Sequence, residues 1–129
     1  MRYILILGIL VCSITFQSCQ EHNNEVEILT VEEMKSLLQL EDIQLIDVRT
    51  QQEYQTGHIK NAKNIVYLGN NWEEDIRKLD KDKPVLVYCE RGKRSAKCSD
   101  ILLEAGFKKI YDLKGGIQEW KFSGEVIVP

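Results

Sequence analysis

The sequence predicts an α/β fold in which a central, mostly parallel β-sheet carries helices on both faces. Three observations predict it. Short apolar runs rich in β-branched residues recur along the chain, most clearly at Val85–Tyr88, which lies between Pro84 and a charged stretch. Segments with the apolar spacing of helices separate these runs, the order that builds parallel sheets from crossover units. Two of those segments open on Thr-x-x-Glu, the reciprocal cap of a helix N-terminus, at Thr30 with Glu33 and at Thr50 with Glu53.

Taken in order, Val26–Leu29 reads as a short edge strand. The first capped helix follows through about residue 40, with Met34, Leu37 and Leu38 inward. Residues 43–48 form the next strand, and the second capped helix after it is stopped by Gly57. A third short strand spans 62–66, and a helix over 70–79 sets Trp72, Ile76 and Leu79 on one side. Both Trp72 and Trp120 read as packing residues. After a turn at 80–84 comes the central strand, then a six-residue loop, then a helix over 95–105 that Gly106 closes, with Ala96, Cys98, Ile101, Leu102 and Ala105 near one face. A last strand spans 109–113, and Gly115 and Gly116 lead into a short helix carrying Trp120.

The N-terminus stands apart from this pattern. Arg2 precedes the apolar run 3–11, too short to span a bilayer comfortably, since that takes about 20 residues. A positive start before a short apolar segment is the form of a secretory signal. The signal ends in Phe16, Gln17, Ser18 and Cys19, which resembles a bacterial lipobox. The expected organisation is a lipoprotein-type signal at 1–18, lipid on Cys19, a tether at 19–28, a folded domain at 29–123 and a C-terminal tail at 124–129. On this reading the protein is exported and faces the periplasm or cell exterior from a membrane. Plain secretion and an uncleaved anchor are the alternatives.

Composition bounds the function. The 129 residues suffice for one domain with a core, and with 43% hydrophobic and 29% charged residues the chain is neither a repeat array nor disordered. A formal net charge of −3 argues against nucleic acid as the main partner. The cluster Arg91, Lys93 and Arg94 therefore suits a small anion. No Cys-x-x-Cys pair is present and there are only two His, which argues against a zinc site or a thioredoxin-like redox pair.

The chemistry points to Cys89. It ends the central strand and opens the loop Glu90, Arg91, Gly92, Lys93, Arg94 and Ser95. Backbone N–H groups in a tight loop before a helix converge on a small volume, and the helix dipole adds positive charge there. Donors so arranged stabilise a sulfur anion, or an outer sulfur carried on it. Buried packing is the plain alternative for a lone Cys, but the charged loop that follows cannot be buried unpaired. Cys98 reads as core filling. An oxidising compartment could instead join it to Cys89, if the strand end and helix interior come within about 7 Å. Asp47 also lies at a strand end, and Asp47 with Arg49 reads as a structural ion pair or loop brace. Arg49 is also spaced to pair with Glu53 across the helix start. His58 reads as a structural hydrogen-bonding group.

These residues resemble a rhodanese domain. The resemblance is carried by Leu45-Ile-Asp-Val-Arg49, Glu53 and Tyr54, Gly57-His-Ile59 through Ala62, Asn64 and Ile65, Val87-Tyr-Cys89, Gly92-Lys-Arg-Ser95, Ala105-Gly-Phe107, and Leu113-Lys-Gly-Gly116 with Trp120, over about residues 30–122. Asn61 stands where the family usually has Gly. The resemblance implies a single-domain, rhodanese-like sulfurtransferase in which Cys89 accepts sulfane sulfur from a donor such as thiosulfate, a persulfide or a polysulfide. The resulting persulfide would be cradled by the loop amides from Glu90 to Ser95 and passed to a thiol or cyanide. Arg91, Lys93 and Arg94 would attract the anionic donor. No cofactor or metal is implied, and the oligomeric state is left open. Related phosphatases carry five residues between Cys and Arg. Here only Glu90, Arg91, Gly92 and Lys93 separate Cys89 from Arg94, a smaller cradle suited to sulfur. A low-turnover persulfide carrier or sulfur-sensing module for one protein partner is the alternative.

Overall fold

The strand that ends in Cys89 is apolar along its whole length because both its faces are covered. The structure is a computed structural model describing residues 25–40 and 42–129. The elements are β1 (Val26–Leu29), α1 (Val31–Leu40), β2 (Gln44–Asp47), α2 (Gln51–Thr56), β3 (Lys63–Asn64), α3 (Trp72–Arg77), β4 (Val85–Tyr88), α4 (Lys93–Glu104), β5 (Ile110–Leu113) and α5 (Gly116–Phe122). The strands form one sheet in the order β1-β5-β4-β2-β3, every pair parallel. β4 lies at its centre, so all four of its residues are buried.

Alternation along the strands divides the core in two. On one face Leu45, Leu86, Tyr88, Tyr111 and Leu113 pack with Val31 and Met34 of α1 and with Ile117 and Trp120 of α5. On the other, Ile46, Val85, Val87, Cys89 and Ile110 pack with Trp72 and Ile76 of α3 and with Cys98 and Leu102 of α4. The expected sheet with helices on both faces is thus the fold. Both capping boxes form: Thr30 and Glu33 bond each other's backbone N–H, as do Thr50 and Glu53.

Several boundaries differ from expectation. β3 is only Lys63–Asn64, although the chain stays hydrogen-bonded to β2 through Ile65 N–H to Asp47 O and Tyr67 N–H to Val48 O. α3 is confined to Trp72–Arg77, since Asn71 supplies no side-chain cap. α4 starts at Lys93 rather than residue 95, because Gly92, at φ 111°, takes a left-handed turn that shortens the loop. That shift also rotates the buried face. Ser95, Cys98, Ser99 and Leu102 face inward, while the expected Ala96 is exposed.

The segment read as a tether gives up its last three residues to β1, where Val26, Glu27 and Ile28 pair with Ile110, Tyr111 and Asp112. In the tail, His58 and Val128 exchange both backbone hydrogen bonds at 2.8 Å, and the Trp120 indole donates to Val126 O at 3.1 Å. The signal at 1–18 and Cys19 lie outside the described residues. Among the described residues no helix is long and apolar enough to cross a membrane.

Candidate active site

Cys89 stands at the carboxyl end of β4, where open parallel sheets place their ligand sites. The Gly92 N–H donates to its Sγ at 3.0 Å, and Ser95 Oγ lies 3.5 Å from the same sulfur. The loop is held from behind by α5. The N–H groups of Ile117 and Gln118 donate to the carbonyls of Cys89 (2.9 Å) and Glu90 (3.1 Å). In a planar trans peptide the next N–H points opposite its carbonyl, so the amides of Glu90 and Arg91 face away from α5. Gly116 makes this approach possible. It has φ 62°, and a Cβ there would lie 2.5 Å from the Cys89 carbonyl oxygen and 2.6 Å from that of Glu90.

α4 begins without a side-chain cap and without an acid in its first turn. Its orphan N–H groups, beside Lys93 and Arg94, make a site for negative charge. Cys89, Glu90, Arg91, Lys93 and Arg94 line an open cleft of about 490 Å³ above this point. The charges there are sorted by their partners. Arg94 binds Glu53 through two hydrogen bonds at 2.7 and 2.8 Å. That hydrogen bonding holds the Glu53 carboxyl down at about 2, with Thr50 assisting and burial opposing. Arg94 is therefore tied to Glu53 at the cleft wall, while Arg91 and Lys93 present cations at the rim that are unpaired among the described residues.

Asp47 and Arg49 lie on the opposite face of the sheet from Cys89. Arg49 Nε reaches both Asp47 oxygens at 3.1 Å, and its Nη2 bonds Asp47 Oδ2 and the Gly57 carbonyl at 2.7 Å each. Its Nη1 reaches Glu90 at 3.1 Å. Burial works against the Arg49 cation, but hydrogen bonding and charge from Asp47 and Glu90 raise its pKa on balance. The pair braces the loop through Glu90, which Gln118 holds from the other side. The expected pairing of Arg49 with Glu53 does not form: Glu53 takes Arg94, because its capping role on Thr50 turns it toward α4. His58 stacks on Tyr54 at 3.7 Å between ring centroids and bonds the Tyr54 carbonyl. Asn61, in a family Gly position, has φ 69°, a conformation that Asn tolerates.

Sequence reading placed Ser95 in the active-site loop but missed Ser99 and Asp112, the polar groups it joins under α4. Ser95, Ser99 and Asp112 are all buried, and the Asp112 carboxyl is pushed up to about 6 by burial, with the Ser95 hydroxyl opposing. Burial likewise pushes the Cys98 thiol up to about 12, with Asp112 adding to it. The signal was present as the spacing 95, 98, 99, 102, which small polar residues disguised. Cys89 and Cys98 are both free thiols. Among the described residues no group of three or more His, Cys, Asp or Glu is placed to hold a metal ion.

The profile of the rhodanese-like domain covers residues 30–123, and the chain belongs to that family. It is 42% identical over 85 residues to a thiosulfate sulfurtransferase GlpE of Coxiella burnetii, spanning 66% of this chain and 78% of that protein. It is also 41% identical over 88 residues to a tRNA uridine(34) hydroxylase of Cytophaga hutchinsonii, a match of 66% of this chain but only 28% of that protein. Among solved structures, a rhodanese-related protein from Thermoplasma volcanium superposes with TM-score 0.70 at 29% identity, over 79% of this chain and 97% of that one.

Proposed function

We propose that this protein is a sulfurtransferase that carries sulfane sulfur as a persulfide on Cys89. The observation that carries the reading is the Gly92 N–H on Sγ at the uncapped start of α4, under a rim bearing Arg91 and Lys93. The Cys89 thiolate attacks the outer sulfur of thiosulfate. A bond forms between the two sulfurs, the donor's sulfur–sulfur bond breaks, and sulfite leaves with the electron pair. The loop and helix N–H groups then face the terminal anionic sulfur of the persulfide. Attack by cyanide or a thiol removes that sulfur and restores the thiolate. Arg91 and Lys93 draw in the anionic donor, while Asp47, Arg49 and Arg94 fix the walls. Persulfides and polysulfides are donors of the same kind.

The match to a thiosulfate sulfurtransferase over most of its length supports the reading. A second reading, a low-turnover persulfide carrier for one protein partner, is favoured by the occurrence of a similar segment within a protein named for a different activity. We also propose export as a lipoprotein anchored through Cys19, supported by Arg2, the apolar run and the residues preceding Cys19.

Intact mass after incubation with thiosulfate tests the central claim. The expected result is a gain of one sulfur on the native chain, none on Cys89→Ser, and loss of the adduct with release of thiocyanate on adding cyanide. Fast steady-state turnover selects the enzyme over the carrier. An adduct that persists in Cys89→Ser overturns the assignment.

A further inference from the structure

Under α4 lies a buried acid that the sulfur chemistry above does not use. Asp112 is 6% exposed and stands on β5, directly beside Val87 of the strand that ends in Cys89. Ile110, two residues before it, packs in the α4 core, so alternation turns the Asp112 side chain to that face as well. The polar groups on that side are Ser95, Cys98 and Ser99 from α4 and Cys89 from the end of β4. Across β1 its register partner is the apolar Ile28. Burial and the Ser95 hydroxyl are what act on its carboxyl, and no cation is among them. Asp112 Oδ1 and Ser99 Oγ have no hydrogen-bond partner among the described residues. A buried carboxylate held by neither a cation nor a full set of donors takes up a proton more readily than an exposed one.

Ser95 connects this acid to the sulfur. Its Oγ lies 3.5 Å from Cys89 Sγ, reaches the Gly92 carbonyl at 3.3 Å, and acts on the Asp112 carboxyl from the same buried side of the sheet. A hydroxyl placed this way accepts from one neighbour and donates to the other. We propose that Asp112 is the proton store of the sulfur-transfer site, receiving the Cys89 proton through Ser95 as sulfur is accepted. This inference rests on the persulfide reading above.

The step balances without any redox partner. The Cys89 S–H bond breaks as a new Ser95 O–H bond forms. The original Ser95 proton passes to an Asp112 oxygen, and the electron pair stays on Sγ to attack the donor. The α4 side of the core carries one negative charge before and after, so Asp112 and the sulfur are never anions together. When the acceptor takes the outer sulfur, the proton returns along the same path.

Asp112 acts through Ser95 and touches no substrate, so a pH profile is the telling readout. The rate of persulfide formation on the full chain with thiosulfate is followed by quenched mass spectrometry. In the native protein the rate rises with pH through about 6, as Asp112 ionises and becomes able to accept. Asp112→Asn, which cannot accept, loses that inflection and slows about tenfold or more above it. Ser95→Ala leaves Asp112 in place but cuts the path, and gives the same flattened profile even if the Asn variant folds poorly. Variants that keep the native inflection at a reduced rate overturn the proposal and leave Asp112 a structural residue. If the native chain takes up no sulfur at any pH, the persulfide reading itself fails and the proton store falls with it.

Discussion

The two faces of the sheet end in opposite kinds of polar cluster. On the α1 and α5 side, Asp47 and Arg49 are fully buried, and Arg49 meets Asp47, Glu90 and a carbonyl together. On the α4 side, Ser95, Ser99 and Asp112 are as deeply buried, yet one carboxylate oxygen and one hydroxyl have no partner among the described residues. The difference teaches what each cluster is for. A satisfied network has one arrangement and holds the loop in it. An unsatisfied one can exist in more than one protonation state, which is what the proton transfer proposed for the adjoining sulfur would use.

Breaking the satisfied cluster should have the largest effect. Arg49→Leu leaves the buried Asp47 side chain without its guanidinium partner, with only the backbone N–H of residue 49 still bonding it, and should cost about 3–5 kcal/mol. Denaturant unfolding near neutral pH measures this, and a loss below about 1 kcal/mol would mean that the brace is dispensable.

The α4 side should respond with the opposite sign. The Asp112 carboxyl titrates at about 6 in the fold against an ordinary 3.8. Its contribution is therefore whole below pH 3.8 and is lost as pH rises through about 6, where charge must be buried. Asp112→Asn should raise stability at neutral pH by roughly 2–3 kcal/mol, and by little below pH 4. Equal stability changes at both pH values would break the contrast.

The smallest effect belongs to the exposed rim of the site. Glu53 is held at about 2 against an ordinary 4.5, chiefly by its bonds to Arg94, so its contribution is present above pH 4.5 and lost as pH falls toward 2. Both side chains are 33% exposed. After solvent screening, Glu53→Gln should cost about 1 kcal/mol at neutral pH and flatten the acid limb of the stability curve. It should also free Arg94 to face the cleft.

Much of this was legible in the sequence, for reasons particular residues make clear. Strands and helix starts are local, so Val85–Tyr88 and the two Thr-x-x-Glu boxes announce themselves. The position of Cys89 follows from them. What was not legible depends on contacts far apart in sequence. Nothing near Arg49 tells that it reaches Glu90 while Glu53 turns to Arg94. Asp112 gives no sign of burial in the short run around it, because its environment is made by α4 and the neighbouring strands. Ser95 and Ser99 look solvent-facing until Gly92 sets where the helix begins. Polar residues enter a core only when a partner elsewhere makes room, and a single sequence does not name that partner.

The grip of α5 on the loop has a consequence for how the protein comes into being. The carbonyls of Cys89 and Glu90 are held by residues 117 and 118, each 28 residues further along the chain. During synthesis the thiol emerges well before the segment that shapes its surroundings. The nascent polypeptide therefore carries a cysteine without its shaped loop until that segment has been added. The loop then takes its form in one step with the docking of α5, so a product terminated before α5 would hold the sulfur atom without these surroundings.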